Sequence, residues 1–390
     1  MSVDDPGPTG PPASNPGERR RMGRGAKVLV GMLTIVVAAI VAASLITIPY
    51  DALTPGTALN VGGLISVPAG KGHTHAGTVF LTDVELVLSM RAVQWPFFIL
   101  DHDDQVEPAA DVSGTADANQ YQEQGVIDMA AARQAATVVA LRAAGYKVSA
   151  KPAGVVDYQP IPGSPAARSL LVGDVITSIG GSPTLSYAAL SAAVAARKPG
   201  TKVEIGLHFI GSSHTRSISL ALGEAVDSSA NATEGQCVAV GTKHSGVVVD
   251  RGGKPESCIG LYLEQIYATA GVPFAVSIVS EGIIGPSAGL AFTIGLLEKL
   301  DPADLTGGKR IAATGTMSIN GDVGDVGGVA QKTVAVRDAG AVLFLVPPQE
   351  LAVARAHAGP NLKVVAVSTI GQAISALEHI GGHLVTHSTT

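Results

Sequence analysis

The chain has 390 residues, 46% of them apolar, and a formal net charge of −6 at pH 7. That much apolar material provides for two or more domains with a substantial core, and the negative balance argues against a general nucleic-acid role. No basic block follows the first thirty positions.

The first 18 residues are rich in Pro, Gly, Ser and Asp and too poor in large apolar side chains to bury a core, which predicts a disordered tail, extended here to 1–25. Arg19, Arg20, Arg21, Arg24 and Lys27 then precede an uncharged run from Val28 to Ile48. A helix over that run is roughly 31 Å long at about 1.5 Å per residue, close to the hydrocarbon thickness of a bilayer. The spacing predicts a single membrane helix over 26–49. The basic cluster on its N-terminal side keeps the tail cytoplasmic and puts the rest of the chain outside the cell membrane. The rival is a cleaved signal peptide, since Ala42, Ala43 and Ser44 are small. Both readings place the bulk of the chain outside the cytoplasm.

Residues 50–145 read as an extracytoplasmic, β-rich region with one helix. The apolar runs Leu64–Val67, Thr78–Leu81 and Phe97–Leu100 read as strands, and Met129–Ala144 as a helix stopped at Gly145. His73 and His75, with Asp101, His102, Asp103 and Asp104, have no recognised metal-ligand spacing and read as solvated loop residues.

Residues 146–223 follow the order strand, loop, strand, helix, strand, strand. Their signature is GSPAARSLLVGDVITSIGG, Gly163 to Gly181, with a helix near Tyr187–Ala196. This segment resembles a PDZ domain, a mainly β fold with helices. The resemblance implies that an extended chain end adds as a strand to a sheet edge, with a carboxylate-binding loop near Val155–Tyr158 or just before it. A spacer with a blocked groove is the alternative. Gly223–Gly235 reads as a linker. Cys237 and Cys258 flank an expected hairpin, Val247–Asp250 with its turn at Arg251–Lys254. A disulfide between them closes a loop worth about 3 kcal/mol in an oxidising compartment; free buried thiols are the other reading.

Two stretches carry chemistry. In EGIIGPSAG, Glu281 to Gly289, a single hydroxyl stands between a Gly-Pro pair and Ala-Gly, where a long apolar helix begins. Such a position offers unpaired N–H groups and a positive dipole end to an oxyanion, although serine at a helix start is also an ordinary cap. In TGTMSINGDVGDVGGVAQKTVAVRDAGA, from Thr314, the glycine-rich turn Gly321–Gly328 leads into a helix with Lys332 in its first turn. Val329, Thr333, Val334 and Val336 predict a half-buried lysine with its pKa pulled from about 10.4 towards neutrality, where a neutral amine takes a proton from a hydroxyl.

Together the stretches resemble the proteolytic domain of the Lon proteases, the Ser-Lys dyad peptidases. The match runs over GPSAG with the preceding Glu281, Thr314-Gly315, Gly327 to Val329, Lys332, Arg337 to Gly340 and a strand ending at Pro347, and the spacing from Thr314 to Lys332 agrees with the family. The resemblance implies that Ser287 is the nucleophile and Lys332 the general base, with Thr314 helping to hold the lysine and Gly285 and Pro286 shaping the turn. Thr316 departs from the family, which usually has an acid there. The resemblance covers 236–380 as a C-terminal α/β domain, with 381–390 as a tail. Within it Leu261–Ala270, Gln349–Ala358 and Ile370–His379 read as helices and Ala275–Val279, Ile311–Thr314, Leu343–Val346 and Val364–Val367 as strands.

Other chemistries fit poorly. Ser287 is not in G-x-S-x-G, and His244 beside Ser245 reads as a loop pair. Gly307-Gly308-Lys309 is followed by Arg310 and lacks phosphate-loop spacing. His379, His383 and His387 recur every fourth residue, but Gly381 and Gly382 break the helix that would align them. The expectation is a multidomain, membrane-anchored serine endopeptidase that acts on proteins or peptides and needs no ATP, metal or other cofactor. The family also implies a hexamer. The alternatives are a catalytically silent, tethered PDZ scaffold and a protease that releases only its own ectodomain.

Overall fold

The computed structural model describes residues 23–112, 118–210, 212–227, 236–242, 247–249, 254–280 and 282–385. Most of the expected N-terminal tail, Glu281, His244 and Ser245, most of the linker, part of the cysteine hairpin's turn, and His387 lie outside them. The chain enters through α1 (Arg24–Leu45), a helix with no buried residue, long and apolar enough to cross a membrane. It continues into β1 (Tyr50–Asn60), β2 (Thr78–Val87), the short helix α2 (Trp95–Leu100), β3 (Gln105–Pro108) and the long helix α3 (Ala118–Ala143). Two expectations change here. Phe97–Leu100 is helical, because Pro96 suits a first helical turn. Extended pairing around Leu64–Val67 is confined to Ile65–Ser66, which pairs with Ser277–Ile278.

The next unit is built from β4 (Ser149–Pro160), β5 (Asp174–Ile179), α4 (Tyr187–Ala195), β6 (Lys202–Phe209) and β7 (Thr215–Ala221), and is completed by β8 (Leu261–Ala270). The order across its main sheet is β8-β4-β5-β6-β7, all neighbours antiparallel. Leu261–Ala270, expected as a helix, is therefore a ten-residue strand running from Leu261 opposite Pro160 to Ala270 opposite Ser149. Its Tyr, Ile and Thr residues favour a pleated surface, and Leu261 and Leu263 pack on the core of Val155, Ile176, Leu190, Val194 and Ile205. Gln265 ties β8 to the start of α4: its Oε1 accepts from the Tyr187 N–H at 2.9 Å and its Nε2 donates to the Leu185 carbonyl at 3.0 Å. Gly223–Asp227, expected in the linker, is itself a strand in a small side sheet. Cys237 and Cys258 form a disulfide across that sheet, Cα atoms 5.8 Å apart.

The final segment supplies α5 (Gly289–Leu300), β9 (Arg310–Ala313), α6 (Val329–Asp338), β10 (Leu343–Val346), α7 (Leu351–His357), β11 (Lys363–Ala366) and α8 (Ile370–Glu378). The sheet order β11-β10-β9-β2-β1-β3 joins these strands to those of residues 50–108. β9 runs parallel to both β2 and β10, whereas β1 is antiparallel to β2. Alternation divides the side chains between two cores: Leu81, Ile311, Leu343 and Leu345 face α3 and α5, while Phe80, Ala312, Phe344 and Val346 face α6 and α7. The boundaries read from the sequence, 50–145 and 236–380, thus separate strands that hydrogen bonding unites, and the β4–β8 unit is inserted between α3 and α5. Both crossings use glycines at positive φ, Gly145 (91°) and Gly271 (79°), and a Cβ on Gly271 would lie 2.4 Å from the Lys147 carbonyl oxygen.

Candidate active site

Ser287 lies in the middle of a single 3₁₀ turn, Pro286–Ala288, which feeds directly into α5. Gly285 enters it at φ 87°, a region that strains any residue with a Cβ, and Pro286 fixes the first step of the turn. The Gly285 N–H bonds the Gly125 carbonyl of α3 at 2.8 Å, anchoring the turn from one side. The strand end after β9 anchors it from the other: Gly315 donates its N–H to the Ser287 carbonyl at 2.9 Å, and Leu290 donates to the Gly315 carbonyl at 3.0 Å. Close approach requires small residues, since a Cβ on Gly289 would sit 2.8 Å from the Met317 nitrogen. No side-chain hydrogen bond caps either the turn or α5. The cap reading of Ser287 therefore has no support, and its half-buried hydroxyl is not committed to the helix start.

Thr314 is 1% exposed and donates its Oγ1 to the Ser287 carbonyl at 3.4 Å, so the structure brings these two residues together. Its own N–H bonds the Leu345 carbonyl of β10 at 3.0 Å.

Lys332 sits in the first turn of α6, its N–H bonded to the Gly328 carbonyl at 3.0 Å. Gly328 begins the helix in the left-handed region, φ 67°, and a Cβ there would lie 2.7 Å from Val84, so only glycine lets α6 settle on β2. The lysine is 4% exposed, fully buried rather than half buried as expected. Burial lowers its pKa to about 8, against the opposing pull of the Asp83 and Glu350 carboxylates. Reciprocally, burial and Asp325 raise the Glu350 carboxyl while Lys332 lowers it. Neither acid was legible as part of the site, because each reaches the lysine from a different element.

The histidines divide differently. His379 Nδ1 is 3.0 Å or less from its own helix's Ser375 carbonyl, at 2.6 Å, and His383 bonds through its backbone to Asp304. His75 does meet two acids, Glu298 and Asp304, with ligand-type atoms within 4.8 Å of one another. Their bonding is already internal: Glu298 accepts from the Leu305 N–H at 2.8 Å and from Thr306 at 3.3 Å, and His75 Nε2 lies 3.0 Å from the Asp301 carbonyl. The group closes the far end of α5 from Ser287. Lys309 spends its amine on the Ile380 carbonyl, a strut rather than a phosphate cradle.

Residues 156–207 match the family described as PDZ domain, and residues 276–377 match the Lon protease (S16) C-terminal proteolytic domain. Ser287, Thr314 and Lys332 all fall within the second match. The solved PDZ domain of an SdrC-like protein from Listeria monocytogenes is 22% identical over 28% of this chain and 86% of that one, with a TM-score of 0.18. Its counterpart from Listeria innocua is 23% identical over 28% of this chain and 92% of that one, with a TM-score of 0.19. Among curated proteins none matches the chain.

Proposed function

We propose that the Lon-type proteolytic domain of this chain is a serine endopeptidase working through a Ser287–Lys332 dyad. The observation that carries the reading is the buried amine. A lysine at 4% exposure with a pKa near 8 holds a usable fraction of neutral base at physiological pH, which an exposed lysine does not. In the proposed reaction Lys332 takes the Ser287 proton as the oxygen attacks a peptide carbonyl. The proton passes to the departing amine, leaving an acyl-enzyme that water then cleaves. Backbone N–H groups around the Pro286–Ala288 turn are the candidate donors to the developing oxyanion.

The PDZ unit is proposed to present substrate. Its sheet ends on β8, whose strand partner among the described residues is β4, and although Gln134 of α3 donates to the Tyr267 carbonyl at 2.8 Å near one end, this terminal strand is the proposed place for an extended chain to add. Hydrolysis is proposed to be independent of ATP, and α1 to anchor the domain outside the membrane with the N-terminus in the cytoplasm. The absence of buried residues on α1 supports a lipid-facing helix over a core helix.

The test is hydrolysis of an unfolded protein without nucleotide by the full chain in detergent. Ser287→Ala and Lys332→Met are each expected to lose activity by roughly 10⁴-fold or more while keeping native circular dichroism. Unchanged turnover in either folded variant refutes the dyad.

A further inference from the structure

Helix α2, WPFFIL, has no charged side chain and buries no residue. Phe97 and Leu100 are 73% and 75% exposed, and Ile99 is 54% exposed. A contiguous group of large apolar side chains left in water marks a contact surface. The backbone shows what lies beside it. Ala92 donates to the Ile46 carbonyl at 2.9 Å, Val93 to the Ala43 carbonyl at 3.2 Å, and Ile48 to the Met90 carbonyl at 2.9 Å, while Thr47 forms a bridge with Arg91. Segment 90–93 is thus stitched to the last turn of α1 and to the three residues that follow it, where the apolar run ends, and α2 begins two residues later. Trp95 is fixed at that junction by an edge-on contact with Tyr50, ring centroids 4.8 Å apart.

We infer that α2 is a second membrane contact: it lies in the outer interface of the bilayer beside the exit of α1 and rests the catalytic domain on the lipid surface. The inference depends on α1 being a retained anchor, as proposed above. Three features fit a lipid occupant. The position is continuous with the spanning helix. The composition combines Trp, two Phe, Ile and Leu, the aromatic and aliphatic mixture of interfacial segments. Charge brackets it on both sides: Arg91 reaches back with its guanidinium to the Ser44 carbonyl, and Asp101, Asp103 and Asp104 follow in the segment between α2 and β3. A protein partner would explain the exposure but not the register with α1.

Trp95 is the single tryptophan of the chain, so its emission reports this site alone. The full chain is reconstituted into phosphatidylcholine vesicles with and without acyl chains brominated near the headgroup. The expected result is a loss of Trp95 emission in the brominated vesicles and a blue shift relative to the detergent-free Phe97→Ser/Leu100→Ser variant. Equal emission in both vesicle types, with α1 still resisting alkaline carbonate extraction, overturns the inference and leaves the anchor intact. Blue-shifted emission without quenching also overturns it, since protein then covers the helix. Release of the uncleaved chain by carbonate, or isolation of a chain lacking α1, shows that the anchor reading has failed and takes this inference with it.

Discussion

The N–H of Gly315 points at the carbonyl of Ser287 and bonds it at 2.9 Å, so the end of a central strand fixes the backbone of the candidate nucleophile. The hydroxyl of Thr314, one residue earlier, reaches the same oxygen. The turn carrying the serine is thereby positioned by the sheet rather than by its own loop.

Gly315→Ala is expected to disturb that register. A Cβ there would lie 2.6 Å from Val323 Cγ1 and 3.6 Å from Leu290, so the strand end must shift. Overpacking of this kind costs about 1–3 kcal/mol. The expected outcome is a lower thermal midpoint together with a larger loss of peptide hydrolysis than the stability change explains, measured at a temperature where the variant is fully folded.

The rate should follow the protonation of Lys332. With the amine's pKa near 8, kcat/KM is expected to rise with pH and level off above about 8. Stability has its own dependence. Below about 8 the amine is protonated in both folded and unfolded chains, and the penalty for burying the charge, on the order of 3 kcal/mol, is complete. Between about 8 and 10.5 the unfolded chain holds the proton and the folded chain does not, so stability rises. Lys332→Met should flatten this rise and raise the unfolding free energy at pH 7, as followed by denaturant titration at several pH values.

Asp157 offers an opposite slope in the PDZ unit. Its side chain is fully buried, and burial, aided by Asp174 and opposed by hydrogen bonding to the Gln159 backbone, raises its pKa to about 8. A carboxyl with a raised folded pKa stabilises below its unfolded value and loses that contribution as pH climbs from about 4 to about 8. Asp157→Asn is expected to remove this fall from the unfolding profile, while hydrolysis of a short peptide is unchanged.

The disulfide between Cys237 and Cys258 spans a sequence separation of 21 and staples a side sheet of short strands. Changing both cysteines to serine should cost about 3 kcal/mol. Limited proteolysis should then cut within 223–258 first, and the hydrolysis of short peptides should persist.

The local backbone around the candidate residues was more legible than the frame around it. The turn at Ser287 and the start of α6 before Lys332 are written locally, in Gly285, Pro286 and Gly328, so neighbouring residues suffice to read them. Leu261–Ala270 was misread because its hydrogen-bond partner, Ser149–Pro160, lies far back in the chain, and helical and extended readings of one apolar run differ only in what stands beside it. The sheet that joins residues 50–108 to the C-terminal segment was hidden for the same reason: β9 pairs with β2, and no local signal reports a pairing across an inserted unit. Full burial of Lys332 likewise depends on β1 and β2 covering α6.

The two chain crossings into the inserted unit leave side by side, Gly271 packed against Lys147 and Ala270 paired with Ser149. From Ala270 the chain runs on through Ser277 and Ile278, which pair with Ser66 and Ile65, to the turn that carries Ser287, so the outermost strand of the inserted sheet and the candidate nucleophile sit on one short, continuous stretch of backbone.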